Sequence, residues 1–200
     1  MKKISLFLIA ATTLLFTGCA SYQASSLSAL DPHYVKSYPE VEGISIGCKA
    51  YTVDDCFTYL DRNVIAQGYQ PIQLTFQNNT NTHYSFSTKD LSLPTTNPDI
   101  VANTVHTSTA GRVTGYAVGG LFFTPLFIPA IVDGIKSSNA NTALDRDFQE
   151  KSLQHLNIAP YSYSKTLIFV PKNHFAPVFN ISLLNQETGK QKTVTLNTYN

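Results

Sequence analysis

Alternation of apolar and polar side chains marks most of this chain as short strands. Ile44 and Ile46 alternate with Ser45 and Gly47, predicting a first strand that runs into Cys48. Ile72, Leu74 and Phe76 alternate with Gln73, Thr75 and Gln77, and Tyr84 and Phe86 resume the pattern after Asn78-Asn79-Thr80-Asn81. That grouping predicts a β-hairpin with a slightly long turn. Leu91 and Leu93 follow before Pro94. Toward the C-terminus, Thr166–Val170 reads as a buried strand closed by Pro171. Val178–Leu184 and the pair Val194/Leu196 read as two more strands, around a turn at 185–190 that contains Gly189.

Helical spacing interrupts this pattern in two places. Thr52 and Asp55 have the spacing of a capping box, and Val53, Phe57, Leu60 and Val64 follow at steps of four, three and four. This predicts a helix with one apolar stripe, stopped at Gly68. Asn97-Pro98-Asp99 is a second helix start: a cap, a proline in the first position and an acid in the first turn. Beyond it, Val113 to Val132 carries no charged side chain, and Gly111, Gly115 and Gly119 recur at every fourth position. A bilayer span needs about 20 uninterrupted residues, whereas Pro125 and Pro129 divide this run. The part up to Thr124 would reach only about 18 Å at 1.5 Å per residue. A helical hairpin turning near Thr124-Pro125 fits better, either packed on its own domain over an open face of the sandwich or dipping into the membrane, followed by an amphipathic helix capped by Ser138 with Ala140, Ala143, Leu144 and Phe148 on one side.

Six or seven strands flanking a helical middle make the chain mainly β with a helical insertion, α+β in class. The architecture resembles an antiparallel immunoglobulin-like sandwich. The chain has no tryptophan, so it lacks the tryptophan of the antibody core. The apolar middle resembles the glycine zippers of some outer-membrane lipoproteins, where small residues at that spacing let two helices approach closely.

The N-terminus has a different grammar. Lys2 and Lys3 precede an apolar run from Ile4 to Phe16, the layout of a secretory signal. Its end, Leu14-Leu15-Phe16-Thr17-Gly18-Cys19, resembles the lipobox of bacterial lipoproteins, with Phe16 where that motif most often has Leu. The resemblance implies cleavage between Gly18 and Cys19, fatty acyl chains such as palmitate on Cys19, and, since Ala20 rather than Asp follows, sorting to the outer membrane. The expected organisation is a signal peptide over 1–18, a lipidated flexible tether over 19–40, and a β-sandwich domain over 41–200 with its insertion at about 97–155.

Composition changes this picture little. Fourteen basic and thirteen acidic residues leave the chain near neutrality, so nucleic acid is not an expected partner. In an exported chain, Cys48 and Cys56 read as a disulfide stapling the first helix to the first strand. The five histidines lie far apart, without metal-site spacing. Asp54 and Asp55 read as helix capping. No phosphate-cradling or nucleophile-elbow motif occurs. The expectation is therefore a non-catalytic envelope lipoprotein without cofactor or metal. Gly111, Gly115, Gly119, Leu121, Phe122, Phe123 and Phe127 would form its membrane or partner contact, or a surface for self-association. The alternative is a periplasmic or surface module that binds a saccharide or peptide through strand-end loops such as 78–83.

Overall fold

The computed structural model describes residues 21–30, 40–41, 43–107 and 127–198. They form a mainly antiparallel β structure with three α-helices, α+β in class. The strands are β1 (Glu40–Val41), β2 (Ile44–Ala50), β3 (Tyr69–Asn78), β4 (Tyr84–Leu91), β5 (His155–Ile158), β6 (Tyr163–Pro171), β7 (Val178–Asn185) and β8 (Gln191–Asn197). The helices are α1 (Val53–Leu60), α2 (Pro98–Thr104) and α3 (Phe127–Lys151). Two compact units divide the chain: residues 23–105 with 145–200, and residues 1–22 with 106–144.

The first unit holds both sheets, ordered β1-β2-β3-β6 and β5-β4-β7-β8. Their facing sides share one core. Ile44, Ile46, Cys48, Ile72, Leu74 and Phe76 come from the first sheet, and Tyr84, Phe86, Ile158, Ile181, Leu183 and Leu196 from the second. Removing such side chains from water is worth about 1.5–3 kcal/mol each. Phe76 and Phe86 meet across the core with ring centroids 5.4 Å apart.

That contact corrects the hairpin predicted between β3 and β4. The two strands do not pair: β3 runs between β2 and β6, while β4 runs between β5 and β7. The 79–83 turn is an arch that carries the chain from one sheet to the other. A hairpin and an arch give the same alternation, because both send Phe76 and Phe86 into one core. The pairing of β7 with β8 around Gly189 is as expected, with Gly189 at φ 66°. The four-residue strand β5, paired with β4, has no counterpart in the expected set.

The first sheet is apolar on both faces. Lys49, Gln73 and Leu167 lie opposite one another in register and point away from the inter-sheet core. On that side Phe148 of α3 stacks on Phe169 at 5.4 Å, and Cys56, Leu60 and Val64 are buried. The capping box of α1 forms as its sequence demands. The Asp55 amide donates to the Thr52 hydroxyl at 3.1 Å, and the Thr52 amide donates to the Asp55 carboxylate at 2.9 Å. The helix stops earlier than expected, at Asp61 with φ 50°; Gly68 closes a separate short turn over Ile65–Gln67. Its predicted stripe is split: Leu60 and Val64 are buried, but Val53 and Phe57 are 41% and 53% exposed. Cys56 and Leu60, one turn apart, make up the buried face instead.

The segment expected to be a flexible tether is held where it is described. Leu27 and Leu30 are buried, and residues 23–28 bond to α1, β3, β6 and α3. In the middle of the chain, Asn97 caps α2 by accepting from the Asp99 amide at 2.8 Å. Helix α3 is continuous from Phe127 and so does not begin at Ser138; Pro129 sits in its first turn, where a missing amide costs nothing. The buried residues Ala140, Leu144, Phe148 and Lys151 follow at steps of four, four and three, one stripe of the helix.

Candidate functional site

The disulfide expected between Cys48 and Cys56 is not formed, and both residues are free, buried thiols. The reason is the two-residue period of a strand. Cys48 faces the inter-sheet core, where its thiol donates to the Asn197 carbonyl at 3.4 Å. Lys49 points to the other side and reaches Asp55 of α1 at 2.7 Å. The sheet itself therefore lies between Cys48 and the helix that carries Cys56, and the bridge cannot close. Burial pushes the Cys48 thiol from 9.0 up to about 12 and the Cys56 thiol up to about 11, so both stay protonated and unreactive near neutrality. Burial also raises Asp55, but the ammonium of Lys49 and the bonds from Thr52 outweigh it and hold the carboxyl below its ordinary value. Asp55 is thus committed to capping and to its ion pair.

Cys19, Gly111, Gly115, Gly119, Leu121, Phe122 and Phe123 lie outside the described residues, and Phe127 is the first residue of α3. Among the described residues no group of three His, Cys, Asp or Glu side chains could hold a metal ion. None of their helices is long and apolar enough to cross a membrane.

The structure does bring together a site of which the sequence marks only half. The 79–83 arch and the 159–162 connection between β5 and β6 lie side by side and share one hub, Asn78, which is 1% exposed. Its amide nitrogen donates to the carbonyls of Thr82 and Ala159 at 2.8 and 2.9 Å. Its oxygen accepts from the amide and hydroxyl of Thr80 at 3.0 and 2.7 Å. Its backbone amide donates to the Ser162 carbonyl, while the Tyr161 amide donates to the Thr80 carbonyl. Gly43 passes so close that a Cβ there would stand 2.5 Å from Thr80 Cγ2.

Over this hub opens a cleft of about 300 Å³ lined by Gln77, Asn78, Asn79, Tyr161, Ser162 and Tyr163. Tyr161 is 75% exposed and holds φ 49°, a left-handed conformation uncommon for a bulky residue. Tyr163, opposite Gln77 in register, is 42% exposed. The lining is neutral: amides, hydroxyls and two ring faces, chemistry suited to an uncharged polyhydroxylated or amide-bearing ligand. The turn at 78–81 is legible in the sequence. Its partnership with Tyr161 and Tyr163 is set by the β3–β6 register, which the sequence does not display.

No family model matches the chain, and no curated protein matches it.

Proposed function

We propose that this chain is a non-catalytic envelope lipoprotein, anchored at the outer membrane through acylated Cys19. One junction supports the reading. The basic and apolar leader ends at Thr17-Gly18-Cys19, and four residues later the Gln23 amide already donates to Asp61 of the folded unit at 3.0 Å. A removable leader meeting a domain at a small-small-cysteine step is the arrangement lipid anchoring requires, and several acyl chains on one residue suffice for stable attachment. Intact mass of the mature protein should show a cysteine N-terminus carrying acyl chains; an unmodified terminus elsewhere overturns the proposal. Cys19→Ala should release the protein from the membrane fraction, and Ala20→Asp should retain it at the inner membrane.

In this reading the glycine-spaced run around Gly111, Gly115 and Gly119, with Leu121, Phe122, Phe123 and Phe127, is the contact to a partner or to a second copy. Gly115→Leu should then lower the melting temperature or change the elution volume far more than Thr114→Leu. Equal behaviour of the two removes the seam from the proposal. Two antiparallel sheets around one core support the immunoglobulin-like description of the scaffold.

The cleft favours a second role on the same scaffold, binding of a saccharide or peptide end. Its carrying observation is the pair of exposed tyrosines, Tyr161 and Tyr163, beside the side chains of Gln77 and Asn79. Titration with neutral oligosaccharides and short peptides, followed by amide shifts at Gln77 and Asn79, tests it. Tyr161→Ala should abolish the shifts; shifts that survive it place the ligand elsewhere.

A further inference from the structure

Residues 23–28 form a strap along one face of the first sheet and along α1. Starting nearest the N-terminus, Gln23 donates to Asp61 at 3.0 Å and the Ser25 amide donates to the Thr58 carbonyl at 2.9 Å. Lys151 then donates to the Ser25 carbonyl at 2.8 Å, Lys165 to the Leu27 carbonyl, and Gln73 to the Ser28 carbonyl at 2.7 Å. With Leu27 and Leu30 buried, the strap is part of the fold. What separates Cys19 from the domain is therefore the stretch from Cys19 to Gln23. Even fully extended it reaches at most about 14 Å.

The two attachment points closest to Cys19, Thr58 and Asp61, belong to the end of α1. Phe57 precedes Thr58 and stands one turn before Asp61, and Val53 lies one turn further back. Both are the apolar residues of α1 that the core leaves exposed, at 53% and 41%. The buried face of the helix is taken by Cys56 and Leu60. An apolar pair at the root of so short a leash is brought to the one surface to which the leash is fixed.

We infer that α1 is the membrane-facing edge of the domain, with Val53 and Phe57 seated in the interfacial zone of a phospholipid leaflet. The inference rests on acylation of Cys19. It also fixes the kind of leaflet. Lys49 meets Asp55 at 2.7 Å and Arg62 meets Asp61 at 2.8 Å, so α1 offers no basic cluster to an anionic surface, and a zwitterionic one is the fitting partner.

The absence of tryptophan from the chain makes a clean test available. Acylated full-length protein carrying Phe57→Trp, or separately Val53→Trp, is reconstituted into phosphatidylcholine vesicles whose acyl chains are brominated near the headgroup. The reference is Val178→Trp, on β7 of the other sheet and itself half exposed. Quenching several-fold stronger at positions 57 and 53 than at 178 is expected. A Gly/Ser linker of about a dozen residues placed between Ala20 and Ser21 should bring the three reporters toward one level. Equal quenching in the unextended protein, while the mass spectrum shows acylated Cys19, overturns the inference and leaves the lipid anchor standing. An unacylated Cys19 overturns both.

Discussion

Asn78 and Gly43 are where single atoms decide the fold. Asn78 satisfies both hydrogen-bonding ends of its amide inside a buried turn, and each polar group left unpaired there costs about 1–3 kcal/mol. Asn78→Ala should therefore lower the urea midpoint strongly, and Asn78→Asp should not rescue it, since a carboxylate cannot donate to Thr82 and Ala159. Gly43→Ala faces two penalties, a φ of 82° and the approach to a Thr80 side chain that is pinned through its hydroxyl. A loss larger than for Gly189→Ala, where φ is also positive but no atom lies within 4 Å, is expected in the same measurement. The Asn-rich turn was visible in the sequence as a turn. That one of its asparagines is the hub of two connections was not, because Ala159 and Ser162 lie far along the chain. The thiols are a parallel case: their even number suggested a bridge, and only the alternation of Cys48 and Lys49 across the sheet excludes it. Denaturation in iodoacetamide without reductant should alkylate both, whereas the native protein should protect both.

At the scale of elements, the N-terminal caps of α1 and α2 are legible in the sequence, whereas the start at Ser138, the stop at Gly68 and the apolar stripe are not what forms. Thr52, Asp55, Asn97 and Asp99 act on atoms within one turn, so sequence suffices. Which side of α1 is buried depends on what packs against it, and the strap takes part in that choice. The sequence over 20–40 has no helical or strand periodicity and therefore reads as a tether. The strap's order comes from side chains of distant elements that bind its carbonyls. Leu27→Ala should cost about 2–5 kcal/mol if the site behaves as an ordinary buried leucine position. Hydrogen exchange would also show lost protection at the Ser25 amide. Retained protection would mean that the carbonyl contacts alone hold the strap. Lys151 is 8% exposed and shares its ammonium among Ser25, Tyr59 and Asp147. Lys151→Met should accordingly destabilise the fold through the stranded carbonyls of Ser25 and Tyr59 and the lost ion pair to Asp147.

Across the whole molecule, the class and most strands were legible, but the crossing between sheets was not. Alternation records which side chains are buried, and is silent about which strand lies beside which. The burial of the two thiols sets a pH dependence. Cys48 and Cys56 have folded-state values raised by burial to about 12 and about 11 from 9.0, and burial, with nearby acidic groups, raises Tyr51 too. A raised value means that the folded state prefers the protonated form. The contribution is complete below pH 9 and is lost as pH climbs toward the folded values. Unfolding free energy should therefore fall between about pH 9 and pH 12, and the Cys48→Ala variant should show a shallower decline over that range.

The strap also sets an order of events. It lies at the front of the chain, yet its acceptors wait for Lys151 and for Lys165, 138 residues beyond Leu27. A chain exported from its N-terminus first would deliver the strap long before β6, so its docking belongs among the closing steps of folding. With Cys19 acylated as proposed, the domain would until then trail on a longer and slacker lead. The final contacts would complete the sheet's outer face and, under that proposal, draw the finished domain in toward the membrane.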